Sequence, residues 1–345
     1  KGNAKWNFSE TFTWSSPGFD LNDMGYMKET DYLMNETEIM YRQTDIWKIF
    51  RYNAFTLSQK NMWNYGGTPF SNNASLRWQS MTMNRYEWDV KETFAWNWLD
   101  SRLLRGGPDV RFGSYFLTSA KFNTDKAKRM MFMLKYEGDH NFEGNRFNTI
   151  SPSLTFRLGN HVYLSGQLDY AWNTDEMQYV ATTSPLSSSS LAPYYYVMGH
   201  MDQKTYGLTL KLQVNVTPDI SIQFYGAPFT SIAKYDDFKL AADTKSHTFE
   251  NRFQRIDPDQ LTYADGVYTI GEGAGQMPFR NPDFRFNEFR SNLVARWEYL
   301  PGSTLYFVWE HRMSNRDNWY SSGWGSNLDR MWGLPATNTF MIKMN

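Results

Sequence analysis

Residues 205–226 read TYGLTLKLQVNVTPDISIQFYG. Tyr206, Leu208, Leu210, Leu212, Val214 and Val216 share one parity, and Thr205, Thr209, Lys211, Gln213 and Asn215 hold the other. Successive side chains of a strand point to opposite faces, so this is a strand with one dry face and one wet face. The chain turns at Thr217-Pro218-Asp219, and the pattern resumes with Ile220, Ile222 and Phe224 against Ser221 and Gln223, which makes a hairpin. A half-buried strand of a soluble sandwich reads the same locally. The rest of the chain decides what covers the dry face.

Composition narrows the choice. Aromatic residues make up 18% of the 345, with 14 Trp and 22 Tyr, yet the mean hydropathy is −0.63 and there is no Cys. No window approaches the ~18 consecutive apolar residues of a spanning helix. A chain both polar and aromatic is expected of a transmembrane barrel with a wet lumen and aromatic girdles at the two interfaces. A net charge of −1 gives no reason to invoke nucleic acid. The missing Cys excludes a disulfide scaffold and thiolate chemistry. Lys1 opens the chain without a leader pattern, so a signal peptide is expected upstream or already removed.

The same period-two pattern lays out seven hairpins. Strand one covers about Lys5 to Ser15, strand two Tyr32 to Arg42, strand three Phe50 to Trp63, strand four Ala74 to Met83 and strand five Tyr86 to Trp98. Strands six to nine cover about Ser114 to Phe122, Arg129 to His140, Phe147 to Leu158 and His161 to Trp172. The opening stretch supplies strands ten and eleven, and strands twelve to fourteen cover Phe286 to Tyr299, Thr304 to Arg312 and Asn338 to Asn345. Tight turns fall on one side. The other side carries long connections at 16–31, 99–113, 173–204, 227–285 and 313–337. Strands of roughly 9 to 13 residues, short turns on one side and long loops on the other are the pattern of an outer-membrane barrel, whereas sandwich strands run to about 5 or 6. The expected fold is all-β: a transmembrane antiparallel up-and-down β-barrel of about 14 strands over residues 1–345, located in the outer membrane of a Gram-negative bacterium and contacting its lipid. The segment TTSPLSSSSLAP reads as a linker, and LTYADGVYTI as a small hairpin with Asp265-Gly266 at its tip.

Parity then assigns the faces. The lumen receives Arg77, Glu87, Asp89, Lys91, Arg129, Lys135, Glu137, Arg157, Asp169, Lys211, Arg296, Glu298, Glu310 and Arg312. Both signs are represented, so cross-strand pairing is expected and a selectivity ladder is the alternative. The aromatic girdles take Tyr86, Trp88, Trp96, Trp98, Tyr170, Trp172, Trp297, Tyr299 and Trp309, whose rings suit hydrocarbon while their N–H or O–H groups need a polar partner. Strands one to three are less regular: Glu10 shares the dry parity, and Glu36 and Glu38 lie on an unclear face. Those strands are candidates for contact with protein.

Chemical motifs are weak. The five His (140, 161, 200, 247, 311) are scattered without metal-ligand spacing, GEGAG at 271–275 lacks the Lys-Ser/Thr of a phosphate loop, and DPDQLTYADG at 257–266 departs from calcium-loop spacing. There is no GxSxG elbow, and carboxylate pairs such as Glu87 with Asp89 or Asp236 with Asp237 recur by chance along any polar strand face. No catalytic residue, metal site or cofactor is assigned. Tyr194 to Tyr196, Trp319, Tyr320, Trp324 and Trp332 in the long loops either stack on sugars or pack a folded cap.

Four stretches carry a resemblance: SSPGFDLNDMGYM at 15–27, LRGGPDVRFG at 104–113, VTPDISIQFYGAPFTSIAKYDDF at 216–238 and FRSNLVARWEYLPGSTLYFVWEHR at 289–312. Together they resemble the C-terminal barrel region of an uncharacterised outer-membrane family whose full-length members carry a family-9 carbohydrate-binding-like module ahead of the barrel. The resemblance implies that this chain is a portion of a longer protein, that the barrel exceeds fourteen strands, and that carbohydrate contact belongs to a module absent here. It carries over no functional residues. The final KMN lacks a terminal aromatic, from which an incomplete C-terminus is expected. Three roles follow as expectations: a transport or scaffold barrel with a polar lumen; a glycan-binding or glycan-acting surface protein using the loops at 227–285 and 313–337; and a structural subunit with protein partners in a larger envelope complex.

Overall fold

The structure, a computed structural model, describes residues 5–20, 30–96, 98–186, 193–317 and 324–345, apart from the side chains of residues 324 and 328. Fourteen strands follow one another in one antiparallel sheet. These are β1 (Trp6–Ser15), β2 (Tyr32–Gln43), β3 (Phe50–Trp63), β4 (Pro69–Thr82), β5 (Glu87–Trp96), β6 (Tyr115–Asn123) and β7 (Met130–Asn141). They continue as β8 (Arg146–Leu158), β9 (Val162–Thr183), β10 (Tyr195–Asn215), β11 (Ile220–Ala241), β12 (Phe284–Leu300), β13 (Ser303–Asp317) and β14 (Thr337–Met344). Spatial order equals chain order, as the alternating pattern and the tight turns require. A short strand, Phe253–Arg255, adds to β11 off this path. The turn between β12 and β13 uses Gly302 at φ 82°, a left-handed conformation that costs glycine nothing.

Three features differ from the sequence reading. First, the closed cylinder is not formed: among the described residues β1 pairs only with β2 and β14 only with β13, so the sheet keeps two free edges. Second, β9, β10 and β11 run to 22, 21 and 22 residues, so most of 173–204 and the first part of 227–285 are strand and not loop. Third, a nine-residue helix, α1 (Trp324–Trp332), stands in the last long connection.

The second difference has a packing cause. Val197 and Met198 are consecutive on β10, point to opposite faces, and are both fully buried. Met198 joins Leu104, Val110, Met177 and Phe253 in one cluster, and Val197 joins Phe238, Leu240, Ile270 and Phe279 in another. With both faces dry, the alternation that marks a half-buried strand disappears. Register shifts between Asp175 and Gln178, Tyr179 and Ala181, and Met198 and His200 break the period further. These clusters are the core of a cap built on the raised ends of β9–β11. The hairpin Leu261–Ala264 with Val267–Ile270 belongs to it, turning through Asp265 (φ 49°) and Gly266 (φ 80°) as a two-residue connection of this kind demands.

Candidate functional site: the polar face and the cavity beneath the cap

The sheet register sorts the side chains into two faces. On one, Leu164 pairs with Leu212, Leu212 with Phe224, Phe224 with Leu293, Leu293 with Trp309, and Trp309 with Phe340, which carries an apolar row across six strands. The row recurs on the first half of the sheet, where Phe8, Ile39, Leu57 and Leu76 are cross-strand neighbours. All four are exposed, and so are Trp6, Phe12, Trp14, Phe132, Phe156, Leu210, Phe307 and Ile342. Glu10 and Glu92 are acidic residues among these apolar rows. Glu10 accepts from the Asn35 amide, and Glu92 accepts from Thr118 Oγ1 at 2.7 Å. Glu36 and Glu38 resolve to the opposite, polar face, where Glu36 stands beside Lys60.

The girdle set is distributed along that apolar face with one departure. Trp88 packs on Phe122 at 4.4 Å with Tyr86 at the ring's edge, and Trp96 stacks on Phe94 at 5.7 Å. Tyr170 stacks on both Trp172 and Tyr206, Trp297 packs edge-on to Tyr299, and Trp309 donates its Nε1–H to Asn338 Oδ1 at 2.9 Å. Trp98 leaves the large sheet. Trp98–Asp100 forms a separate two-stranded ladder with Val110–Phe112, and the Trp98 ring meets Tyr115 edge-on at 5.7 Å. It therefore borders the polar side.

The polar face carries the charged set, mostly in pairs. Arg77 donates to Asp89 through Nε at 2.8 Å, Glu87 receives the Lys126 ammonium, and Asp169 accepts from Ser151 and Gln167. Arg312 binds Glu288, which also takes Arg290. Lys135 with Glu137 and Arg296 with Glu298 pair along one strand, two residues apart. The expectation of pairing between strands thus covers part of the set, same-strand pairs cover another part, and the other members stand outside any ion pair among the described residues. Arg157 lies over the Tyr163 ring, Lys211 stands between Ser165 and Tyr225, and Glu310 between Asn292 and Thr339. Lys91 sits beside Arg77 and Ser119. Arg129 precedes β7 in the turn, where its carbonyl accepts from the Arg157 N–H.

The cap is tied together by one buried ion pair. Arg252, 1% exposed, reaches Glu143 at 2.9 Å and donates to the Ser246 and His247 carbonyls, while Glu143 also accepts the Gly113 N–H. Asp109 joins Lys245, and Arg111 donates to the Thr244 and Lys245 carbonyls, so the 98–113 connection is laced to the segment after β11. Elsewhere in the cap, burial pushes the Tyr235 hydroxyl up to about 12, with Asp175 and Asp283 adding to the shift and Arg316 and Arg105 opposing it. Helix α1 packs on the apolar-parity side of β11–β13, with Trp332 5.0 Å from Phe289. There Arg285 is covered and meets Asp317 and Asn327.

Beneath the cap, at the loop-side end of β6–β9, lies a cavity of about 410 Å³. Its walls are mostly apolar: Trp98, Phe112, Tyr115, Leu117 and Phe147. Asp100, Asp139 and Asp175 also line it, with Asn141, Asn145, Arg146, Phe147's neighbour Asn173, and Thr174. Register explains the convergence, because Asp139 sits directly between Leu117 on β6 and Phe147 on β8, and Phe147 is next to Asn173 on β9. Burial holds the Asp175 carboxyl above the usual carboxylate range, the nearby Glu176 raises it further, and the Met177 N–H, His200 and Lys239 oppose the shift. The sequence signal for this site was two apolar residues, Leu117 and Phe147, at polar-face positions.

The other motifs are absorbed without chemistry. His200 lies between Glu176 and Asp202, His311 meets Asn338, His161 meets the Asn215 carbonyl, His140 stacks on Phe116, and the His247 carbonyl serves Arg252. GEGAG forms a short 3-10 turn, and Asp257 caps the turn at 258–260. Among the described residues no cluster of three or more His, Asp or Glu is placed to hold a metal. Tyr195 and Tyr196 pack into the two cap clusters, whereas Tyr194 and Trp332 are exposed. Trp319, Tyr320, the Trp324 side chain and the middle of TTSPLSSSSLAP lie outside the described residues.

No curated protein and no solved structure matches the chain. One family model, described as a domain of unknown function (DUF5916), matches residues 1–345, and the chain belongs to that family.

Proposed function

We propose that the sheet is the wall of an outer-membrane β-barrel, its charged face lining a wet lumen and its cap lying at the outer mouth, with a transport or scaffold role at the envelope. The observation that carries this reading is the exposed apolar face. Soluble monomers rarely expose contiguous apolar patches beyond a few hundred Å², and here exposed apolar side chains recur along most of the sheet's width. Its height fits as well. Tyr206 to Val216, the residue just past the end of β10, spans ten steps; at about 3.3 Å each and a tilt of about 40° that is about 25 Å, the height of a barrel's lipid-facing band.

Hydrocarbon offers no partner to a bare strand edge, so the reading requires β1 and β14 to be paired in the membrane. An even strand count makes them antiparallel, the right sense to meet each other or to flank further strands. These same edges favour a related reading, a subunit that completes its wall with other strands of an envelope complex. Glycan binding on the outer surface is favoured by Tyr194 and Tyr263, which the cap leaves 69% and 54% exposed.

The test is a nitroxide scan of residues 208–214 on β10 in lipid vesicles. Collision with dissolved oxygen is expected to peak at 208, 210, 212 and 214, and collision with a water-soluble nickel chelate at 209, 211 and 213. A profile without that alternation overturns the membrane reading.

A further inference from the structure

We propose that the cavity at the loop-side end of β6–β9 binds an organic ammonium cation, an amine or quaternary ammonium on a small apolar body. This goes beyond the membrane reading and does not depend on it, since the cavity stands on the geometry of β6–β9 and the 98–113 connection alone.

The first observation is an apolar patch where the sheet is otherwise mostly polar. Leu117 and Phe147 share their face with Lys121, Lys135, Glu137 and Ser151, yet they converge with Tyr115, Trp98 and Phe112 around one space of about 410 Å³. Phe147 remains 41% exposed in it. A concave, mostly apolar space of some hundreds of Å³ with a few convergent polar groups is what a small-molecule site looks like.

The second observation is the sign of those polar groups. Asp139 stands between the Leu117 and Phe147 side chains, and its carboxylate makes no hydrogen bond or salt bridge among the described residues. Asp175 accepts the Met177 N–H at Oδ1, at 2.9 Å, and among the described residues its other oxygen has no hydrogen-bond partner. Neighbouring basic side chains are engaged elsewhere: Lys239 with Asp237, and His200 between Glu176 and Asp202. Arg146 borders the cavity but pairs with neither acid. Aromatic faces attract a cation through the ring quadrupole, and a desolvated carboxylate gains most from a charge that brings its own apolar surface. An ammonium ion on an apolar body satisfies walls and acids together.

The experiment is isothermal titration calorimetry of the detergent-solubilised full chain with choline and with phenyltrimethylammonium, against 3,3-dimethylbutan-1-ol, the uncharged isostere of choline. Saturable binding of the cations is expected, with the isostere at least about tenfold weaker. Asp139→Asn, which keeps the side-chain shape, and Phe147→Ala are each expected to weaken cation binding about tenfold. A thermal melt of Asp139→Asn unchanged from the parent chain separates loss of binding from loss of fold. The proposal is overturned if neither cation saturates, if the isostere binds equally, if Asp139→Asn leaves affinity unchanged while the fold is intact, or if maltose binds where the cations do not.

Discussion

Replacing Leu210 by Lys puts one charge at the middle of the apolar run on β10, between Tyr206 and Val216. Leu210 is 40% exposed and has Gly166 and Gly226 as its cross-strand neighbours, so no side chain beside it could pair with the new ammonium group. If that face meets hydrocarbon, the cost near the midplane is about 2 to 4 kcal/mol, which is about 30- to 700-fold in the folding equilibrium. The same change at Val216, 54% exposed beside the turn, falls near the interface and costs about 0 to 1 kcal/mol. If the face meets water, both changes stay within about 0.5 kcal/mol, as exposed substitutions do. The assay is reversible urea unfolding in lipid vesicles, followed by tryptophan fluorescence, with Lys211→Leu as a control on the polar face. A cost at residue 210 below about 1 kcal/mol, or equal costs at 210 and 216, would refute the assignment of that face to lipid.

Two further outcomes follow from the cap. Arg252→Met strands the largely buried Glu143 without its cation, so the cap is expected to lose about 3 to 5 kcal/mol of local stability; hydrogen exchange at 104–113 and 242–255 should speed up while β1–β4 is unaffected, and unchanged protection there would refute the role of the pair. For Asp175 the native pKa is raised, so as pH climbs through the window between the ordinary carboxylate pKa and the raised one, the native state keeps a proton that the unfolded chain has released, and stability falls. Asp175→Asn mimics the protonated form. It should melt higher than the parent chain above that window and equal to it below, and a variant less stable at neutral pH would contradict the burial penalty.

The part of the fold legible in the sequence is the part with unlike faces. Lys211 between Leu210 and Leu212 gives a period that no helix or loop shares, and the tight turns after Asn84, Gly159 and Pro301 fix the pairing of the strands beside them. The raised ends of β9–β11 were hidden because Val197 and Met198 both enter cores, which leaves no wet parity to read. Arg285 illustrates a second limit: it has the apolar parity and is buried where α1 packs, bonded to Asn327 from 42 residues away in sequence. The cavity needed register. Leu117, Asp139 and Phe147 look unrelated until β6, β7 and β8 are laid side by side. Trp98 read as the end of strand five, but the ladder it forms with Phe112 turns it to the other side.

The unbroken passage of β9, β10 and β11 from wall into cap has a mechanical consequence. Each strand continues about ten residues past Trp172, Tyr206 and Phe229, roughly 30 Å at about 3.3 Å per residue. The superstructure is a parapet grown from the masonry. Swinging it aside would bend three hydrogen-bonded strands at once, so the cap moves only together with the sheet beneath it.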